Sequence, residues 1–263
     1  MVQVLDPARI PLFGIGFDAL HLSSAASKVL SWTAERQSRV VVTPNVDHIV
    51  QISERPELRA VYNEADLVLA DGQPLIWVAR MLGSPLPERV AGSDLFPLLL
   101  RDAATRPGLR VFLFGGKSGV AERAAGNIER DYPWVKVVGT HAPPLGFETR
   151  ADQNGAAVAA VAAADADIVL LALGAPKQEL WAHRERSRLN CGVVLCLGAT
   201  VDFMAGTIPR APTWMRRAGL EWLFRIAGEP QRLAKRYVRD AAIFPKLVLE
   251  EAVKRSRSAD AQP

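Results

Sequence analysis

The chain has only two cysteines in 263 residues, Cys191 and Cys196. Their spacing is neither a CxxC redox pair nor a metal pair, and Cys196 lies inside the apolar run Val193-Val194-Leu195-Cys196-Leu197. Both read as packing residues of a reduced, cytoplasmic protein, which excludes a disulfide framework. Histidine is scarce as well: there are four, and His48 and His141 stand isolated from other metal-ligand types. No His, Asp and Glu cluster has the spacing of a metal site. Long hydrophobic runs are missing too. No apolar stretch reaches the roughly 18 residues needed to cross a bilayer. The N-terminus has no basic region followed by an uninterrupted apolar stretch, so no signal peptide is expected.

What is present suffices for a substantial core. Hydrophobic residues make up 49% of the chain and charged residues 23%, the balance of a folded protein and not of a disordered one. The net charge of +4 hides an asymmetry. Between Arg210 and Arg257 stand 12 Lys/Arg against 5 Asp/Glu, which leaves 20 basic against 23 acidic residues in the rest. The basic tail favours an anionic partner: a phosphorylated ligand, an anionic membrane surface or nucleic acid. The interleaved Trp222, Leu223, Phe224 and Ile226 suit core or membrane contact better than base stacking, which disfavours nucleic acid.

Short apolar runs at 9–17, 39–44, 67–71, 110–115, 135–140, 168–174 and 192–199 alternate with helix-like spacers, mostly of 15–30 residues. This alternation predicts βαβ units: an α/β, Rossmann-like, mainly parallel sheet with helices on both faces. After Gly206 no further strand is expected. The pattern predicts a core over 1–209 and a helical, basic appendage over 210–263. The appendage is broken at Gly228-Glu229-Pro230, and Arg232, Arg236 and Arg239 share one helix face. The last residues, Ser258 to Pro263, are expected to fray.

Glycines and small polar residues collect where strands meet helices, the ligand edge of such a sheet. The ramp Asp66-Leu67-Val68-Leu69-Ala70 delivers Asp71-Gly72 there, a carboxylate placed to accept a proton. Phe114-Gly115-Gly116-Lys117-Ser118-Gly119 follows a strand and precedes a helix, so its backbone suits a nucleoside diphosphate. It is no Walker loop, since Val111 holds the required glycine position, and it is no GxGxxG. A glycine turn without a ligand is the competing reading. Asp165-Ala166-Asp167 has the form of a metal-binding DxD but precedes its strand, so a turn role at the opposite edge is expected. Asn45 and Ser93 are candidate helix caps. Pro176 falls in a helix first turn, with Gln178 and Glu179 beside the crevice.

In order, TPNVDH (43–48), LADGQP (69–74), RVAGSD (89–94), FLFGG (112–116), LGAPKQELW (173–181), GATVDFMAGTIPRAPTWM (198–215) and GLEWLFRIAGEPQRLAKR (219–236) are far more specific together than singly. The series resembles the WecG/TagA/CpsF family of bacterial glycosyltransferases over about residues 12–240, most distinctively at 209–232. The resemblance implies inverting, metal-independent transfer, with no cofactor, from a UDP-sugar to a sugar on undecaprenyl diphosphate. The setting it implies is the inner face of the cytoplasmic membrane, with a peripheral protein that could form a homo-oligomer. It implies Asp71 as the base, with Thr43 and Asn45 as further catalytic candidates, and Arg89 and Gln178 as substrate contacts. Gly92, Gly115, Gly116, Glu179, Gly198 and Arg210 complete the substrate-binding candidates. Arg225, Arg232, Lys235 and Arg236 of the appendage are candidates for closing over the diphosphate. The donor it implies is UDP-glucose or UDP-N-acetylmannosamine or its uronic acid. The alternative from the sheet alone, a nicotinamide-dependent oxidoreductase, is disfavoured by the missing GxGxxG after the first strand.

Overall fold

The computed structural model describes residues 9–217, 219–228 and 230–260, with the side chains of Arg217, Arg232 and 258–260 outside the described set. The described residues begin with strands β1 (Ile10–Leu12) and β2 (Ile15–Phe17), followed by α1 (Leu22–Trp32), β3 (Arg39–Val42), α2 (Val46–Glu54) and α3 (Leu58–Asn63). Next come β4 (Leu67–Val68), α4 (Gln73–Met81), α5 (Gly92–Asp102), β5 (Leu109–Gly115), α6 (Val120–Asp131) and β6 (Val135–His141). Then follow α7 (Ala151–Ala163), β7 (Ile168–Ala172), α8 (Lys177–Glu185), β8 (Val193–Cys196) and α9 (Thr200–Met204). The chain ends in α10 (Thr213–Arg217), α11 (Glu221–Gly228) and α12 (Pro230–Asp260).

Among the described residues the main sheet has six strands in the order β4-β3-β8-β7-β5-β6, and every pairing is parallel. The alternation of side chains along each strand splits the core into two layers. Val40, Val42, Val169, Leu171, Val194 and Cys196 pack on one face. Val41, Leu67, Ile168, Leu170, Val193 and Leu195 pack on the other. Every fully buried member of both layers lies before residue 206, and Phe244 and Leu247 of α12 lie over the first from outside. The cysteines are free and buried, as packing residues are.

Three readings of the sequence need correction. Pro176 does not lie in a helix first turn: α8 starts at Lys177, with Pro176 as its cap. The run 9–17 is not one strand but an antiparallel hairpin, β1 with β2, because Phe13 and Gly14 both adopt positive φ (55° and 79°) and reverse the chain. Ser93 is not a helix cap. α5 starts at Gly92 with Ala91 as its cap, so Ser93 lies inside the first turn.

Asp165 and Asp167 sit at the N-terminal edge of the sheet. Asp167 Oδ2 accepts the Arg110 backbone N–H at 2.8 Å, and Arg36 pairs with both carboxylates at 3.2 and 3.3 Å. They tie strand starts together, far from the ligand edge. After Gly206 the described residues contain no further strand, and their regular elements are helices. α12 is anchored along its length: Leu233 is buried, and Arg255 donates to Leu82 O, Ser84 Oγ and Pro11 O.

Candidate active site

Strand ends place the candidates. β4 is only two residues long, yet its pairing carries on past its end: Leu69 N donates to Val42 O at 3.0 Å and Asp71 N to Pro44 O at 2.9 Å. These two bonds bring Asp71 beside the turn Thr43-Pro44-Asn45. Thr43 is buried at the end of β3. Asn45 caps α2, its Oδ1 accepting from Asp47 N and His48 N, while its own N–H donates to His48 Nδ1 at 3.2 Å. That reciprocal cap satisfies two orphan amides of the helix start. A Cβ on Gly72 would lie 3.8 Å from Asn45 Cβ, so the two turns adjoin.

The Asp71 carboxylate is 28% exposed, and its Oδ1 lies 3.7 Å from Arg89 Nη1. Burial pushes its proton affinity up, to about 7, with the positive charges of Arg89 and Arg225 opposing and the carboxylates of Glu221 and Asp94 adding to the rise. Arg89 is shared further: Nη2 donates to Asp94 Oδ2 at 2.6 Å and Nη1 to Glu221 Oε2 at 3.3 Å. Asp94 Oδ1 in turn takes Arg210 Nη2 at 2.6 Å and Arg216 Nη1 at 3.0 Å. Three arginines thus converge on Asp94, two of them from the chain beyond Pro209.

A second cluster lies under the ends of β7 and β8. Trp181 stacks on Phe114 with centroids 4.7 Å apart and donates to Asn154 Oδ1, which fixes α8 against the sheet. One turn earlier on α8, Gln178 Nε2 donates to Glu179 Oε1 at 2.9 Å, and His48 Nε2 stands 3.7 Å from the same oxygen. Gly198 faces this pair; a Cβ there would be 3.8 Å from Gln178 Oε1. Gln178 Oε1 and Glu179 Oε2 are buried and have no hydrogen-bond partner among the described residues. Leaving such groups unmatched costs about 1–3 kcal/mol each, which marks them as places for a ligand's polar groups. Burial raises the Glu179 carboxyl to about 7 and lowers His48 to about 4.

The raised Glu179 has a signed consequence for stability. The folded chain holds this proton between about 4.5 and 7, where the unfolded chain has released it, so stability falls as pH rises through that window. Urea denaturation at pH 4.5 and pH 8 is expected to show wild type losing more stability across the interval than Glu179→Gln, which has no carboxyl there to ionise.

Lys235 and Arg236, with Asp47, Gln51, Ala175 and Arg239, line an open cavity of about 480 Å³ between the ligand edge of the sheet and α12. Arg239 Nη2 holds Asp47 Oδ1 at 2.5 Å, and Arg236 Nη1 lies 3.8 Å from Oδ2. The Arg232 side chain lies outside the described residues. Another cavity, of about 200 Å³ and lined by Leu30, Thr33 and Asp167 among others, opens at the opposite edge, away from Asp71.

The structure does not bring Gly115 and Gly116 to Asp71. β5 is four strand positions from β4, roughly 19 Å at the usual inter-strand spacing. Gly115 has a packing reason of its own: at φ 100°, a Cβ would stand 2.7 Å from the Ala172 carbonyl oxygen of the neighbouring strand. Gly115→Ala is expected to destabilise by at least about 2 kcal/mol in urea unfolding, from left-handed strain and this backbone clash together. Gly92 is likewise buried against Leu197, whose Cδ2 would be 2.8 Å from an added Cβ.

Sequence reasoning missed Asp94, Glu221, Arg216, Asp47 and His48. The motif 89–94 contains Asp94 but reads on its own as a helix start. His48 stands three residues after Asn45, the spacing of a reciprocal cap, which could have been read. Among the described residues no group of three or more His, Cys, Asp and Glu could hold a metal ion.

An open parallel sheet with a partly buried carboxylate, arginines and a basic helical segment meeting at its C-terminal edge defines a Rossmann-like α/β enzyme. The comparison with protein families carries the assignment further. The chain belongs to the glycosyl transferase WecG/TagA/CpsF family, whose model matches residues 10–258, and it is a glycosyltransferase. This replaces the oxidoreductase alternative. A relative from Bacillus spizizenii strain W23, N-acetylglucosaminyldiphosphoundecaprenol N-acetyl-beta-D-mannosaminyltransferase, is 31% identical over 254 residues, covering 96% of this chain and 93% of its own. A protein of the same name from Bacillus subtilis strain 168 is 33% identical over 173 residues, 65% of this chain and 64% of its own.

Proposed function

We propose that this enzyme moves a hexose or N-acetylhexosamine from a UDP-sugar onto a sugar carried by undecaprenyl diphosphate, with inversion and without a metal. The observation that carries the reading is Asp71. It is a mostly buried carboxylate at the ligand edge, held 3.7 Å from Arg89 and with proton affinity raised to about 7. The acceptor hydroxyl oxygen bonds to the anomeric carbon as the bond from that carbon to the UDP β-phosphate oxygen breaks. The hydroxyl proton passes to Asp71, and the departing electron pair stays on UDP. Charge growing on the leaving diphosphate calls for fixed positive groups. Arg225, Lys235 and Arg236 of the appendage are the candidates, with Arg89 and Arg210 if the donor displaces their carboxylate partners. The unmatched Gln178 Oε1 suits a donor group of the nucleotide sugar, Glu179 Oε2 a polar group of either kind according to its protonation, and Thr43 and Asn45 shape the turn beside the base.

Both relatives are named for β-D-mannosaminyl transfer to a diphosphoundecaprenol-linked acceptor, and an α-linked nucleotide donor gives a β product by inversion. The donors in play are UDP-N-acetylmannosamine, its uronic acid and UDP-glucose. Residues 1–209 act as the catalytic core and 210–263 as an appendage that closes the site. Exposed Trp214, Trp222 and Leu223 beside the arginines suit the inner membrane face. None of the described helices is long and apolar enough to cross a membrane. The test is a panel of UDP-sugars against synthetic lipid-diphospho-glucose and lipid-diphospho-N-acetylglucosamine. Product mass identifies donor and acceptor together, and no transfer from any UDP-sugar to either lipid sinks the reading.

A further inference from the structure

The Arg89 guanidinium stands among three carboxylates that come from three parts of the chain. Nη1 lies 3.3 Å from Glu221 Oε2 and 3.7 Å from Asp71 Oδ1, and Nη2 lies 2.6 Å from Asp94 Oδ2. One nitrogen is therefore shared between Asp71 and the first residue of α11. All four side chains are mostly buried, with exposures of 16% for Arg89, 18% for Glu221, 19% for Asp94 and 28% for Asp71, so their charges act on one another with little screening.

We propose that Glu221 is a positioning residue for the transfer reaction: carried in by α11, it holds Arg89 through Nη1 and so keeps that guanidinium from pairing with Asp71 alone. The inference rests on Asp71 being the base. A guanidinium given wholly to Asp71 would hold it as a weakly basic carboxylate. Shared with Glu221 and Asp94, it orients Asp71 while leaving it able to take a proton. The groups that bear on Asp71 from each neighbouring element are Arg89 in the loop before α5, Asp94 on α5, and Glu221 and Arg225 on α11.

The place of Glu221 is set by backbone packing and not by its charge alone. Gly219, two residues before it, lies so close to α4 that a Cβ would stand 2.8 Å from Gln73 Cβ. α4 begins two residues after Asp71. The start of α11 is thereby registered against the helix that follows the base. The appendage supplies a carboxylate to the catalytic centre as well as cations.

The test uses the full chain. Glu221→Gln keeps a side chain that can accept from Arg89 but removes the charge; Glu221→Asp keeps the charge. The readouts are the pH profile of kcat/KM for transfer and the Kd of UDP. For Glu221→Gln the acid limb is expected to move down by about half a pH unit or more. The plateau should fall about threefold to tenfold, with the UDP Kd within about twofold of wild type. Glu221→Asp returns the limb toward wild type. Asp94→Asn, acting through the other nitrogen of Arg89, carries the same direction of shift and serves if Glu221→Gln does not fold. A limb that stays at its wild-type pH in both neutral variants overturns the proposal and leaves Glu221 as a docking contact only. Near-normal turnover in Asp71→Asn is a different outcome: it would remove the base itself, whatever Glu221 does.

Discussion

Asp71→Asn is expected to lower transfer by about 10²–10⁴-fold, the usual worth of a positioned general base, while UDP binds within a few-fold of wild type. Asparagine keeps the shape and the backbone bond from residue 71 to Pro44 O, so the strand-end turn survives. It cannot take the proton of the acceptor hydroxyl. Arg89 keeps Asp94 and Glu221, so the substitution strands no unpaired cation. Because burial raises Asp71 to about 7, wild-type kcat/KM should rise with pH through that value as the carboxylate forms. The residual activity of Asp71→Asn should lack that limb. Turnover near wild type with UDP binding intact would rule Asp71 out as the base.

Ending the chain after Pro209 is expected to cost transfer at least about a hundredfold, the scale of losing preorganised charge stabilisation at a leaving group. The truncation removes Arg210, Arg216, Glu221, Arg225, Lys235 and Arg236 together. The remaining chain should still fold, because every fully buried residue of the two core layers lies before residue 206. It should melt at lower temperature, since the layer under Phe244 and Leu247 loses its cover and Leu82 and Ser84 lose Arg255. Circular dichroism checks the fold, and a radiolabelled transfer assay checks the activity. A truncated enzyme with full activity would end the idea that the appendage completes the site.

The sheet was legible because both its faces are covered. Buried parallel strands read as unbroken apolar runs such as Ile168–Ala172 and Val193–Cys196, and their ends are marked by glycine and small polar residues. Asp71 was legible for the same reason, as the first charge after such a run. The hairpin at Phe13-Gly14 was not, because a two-residue reversal inside an apolar stretch leaves the hydropathy pattern unchanged. The partners at the site were the least legible. Arg89 meets Glu221 across 132 positions and Asp94 meets Arg210 across 116, and no periodicity relates residues so far apart. Arg210 stands in the sequence as a substrate-binding candidate and Arg236, by resemblance, as a candidate for the diphosphate; in the fold they pair with Asp94 and Asp47, so an anionic substrate must compete with protein carboxylates.

The convergence of Arg89, Arg210 and Arg216 on Asp94 also bears on engineering by exchange of parts. Appendages cannot be traded freely between relatives, as linkers or tags can. A grafted segment must bring two arginines to a carboxylate it does not own, and must seat its acidic residue on the recipient's arginine. Chimeras joined before Arg210 should therefore fail or succeed by this charge grammar rather than by overall similarity, and joints placed after Glu221, which keep both pairings within the recipient, should be the more tolerant ones.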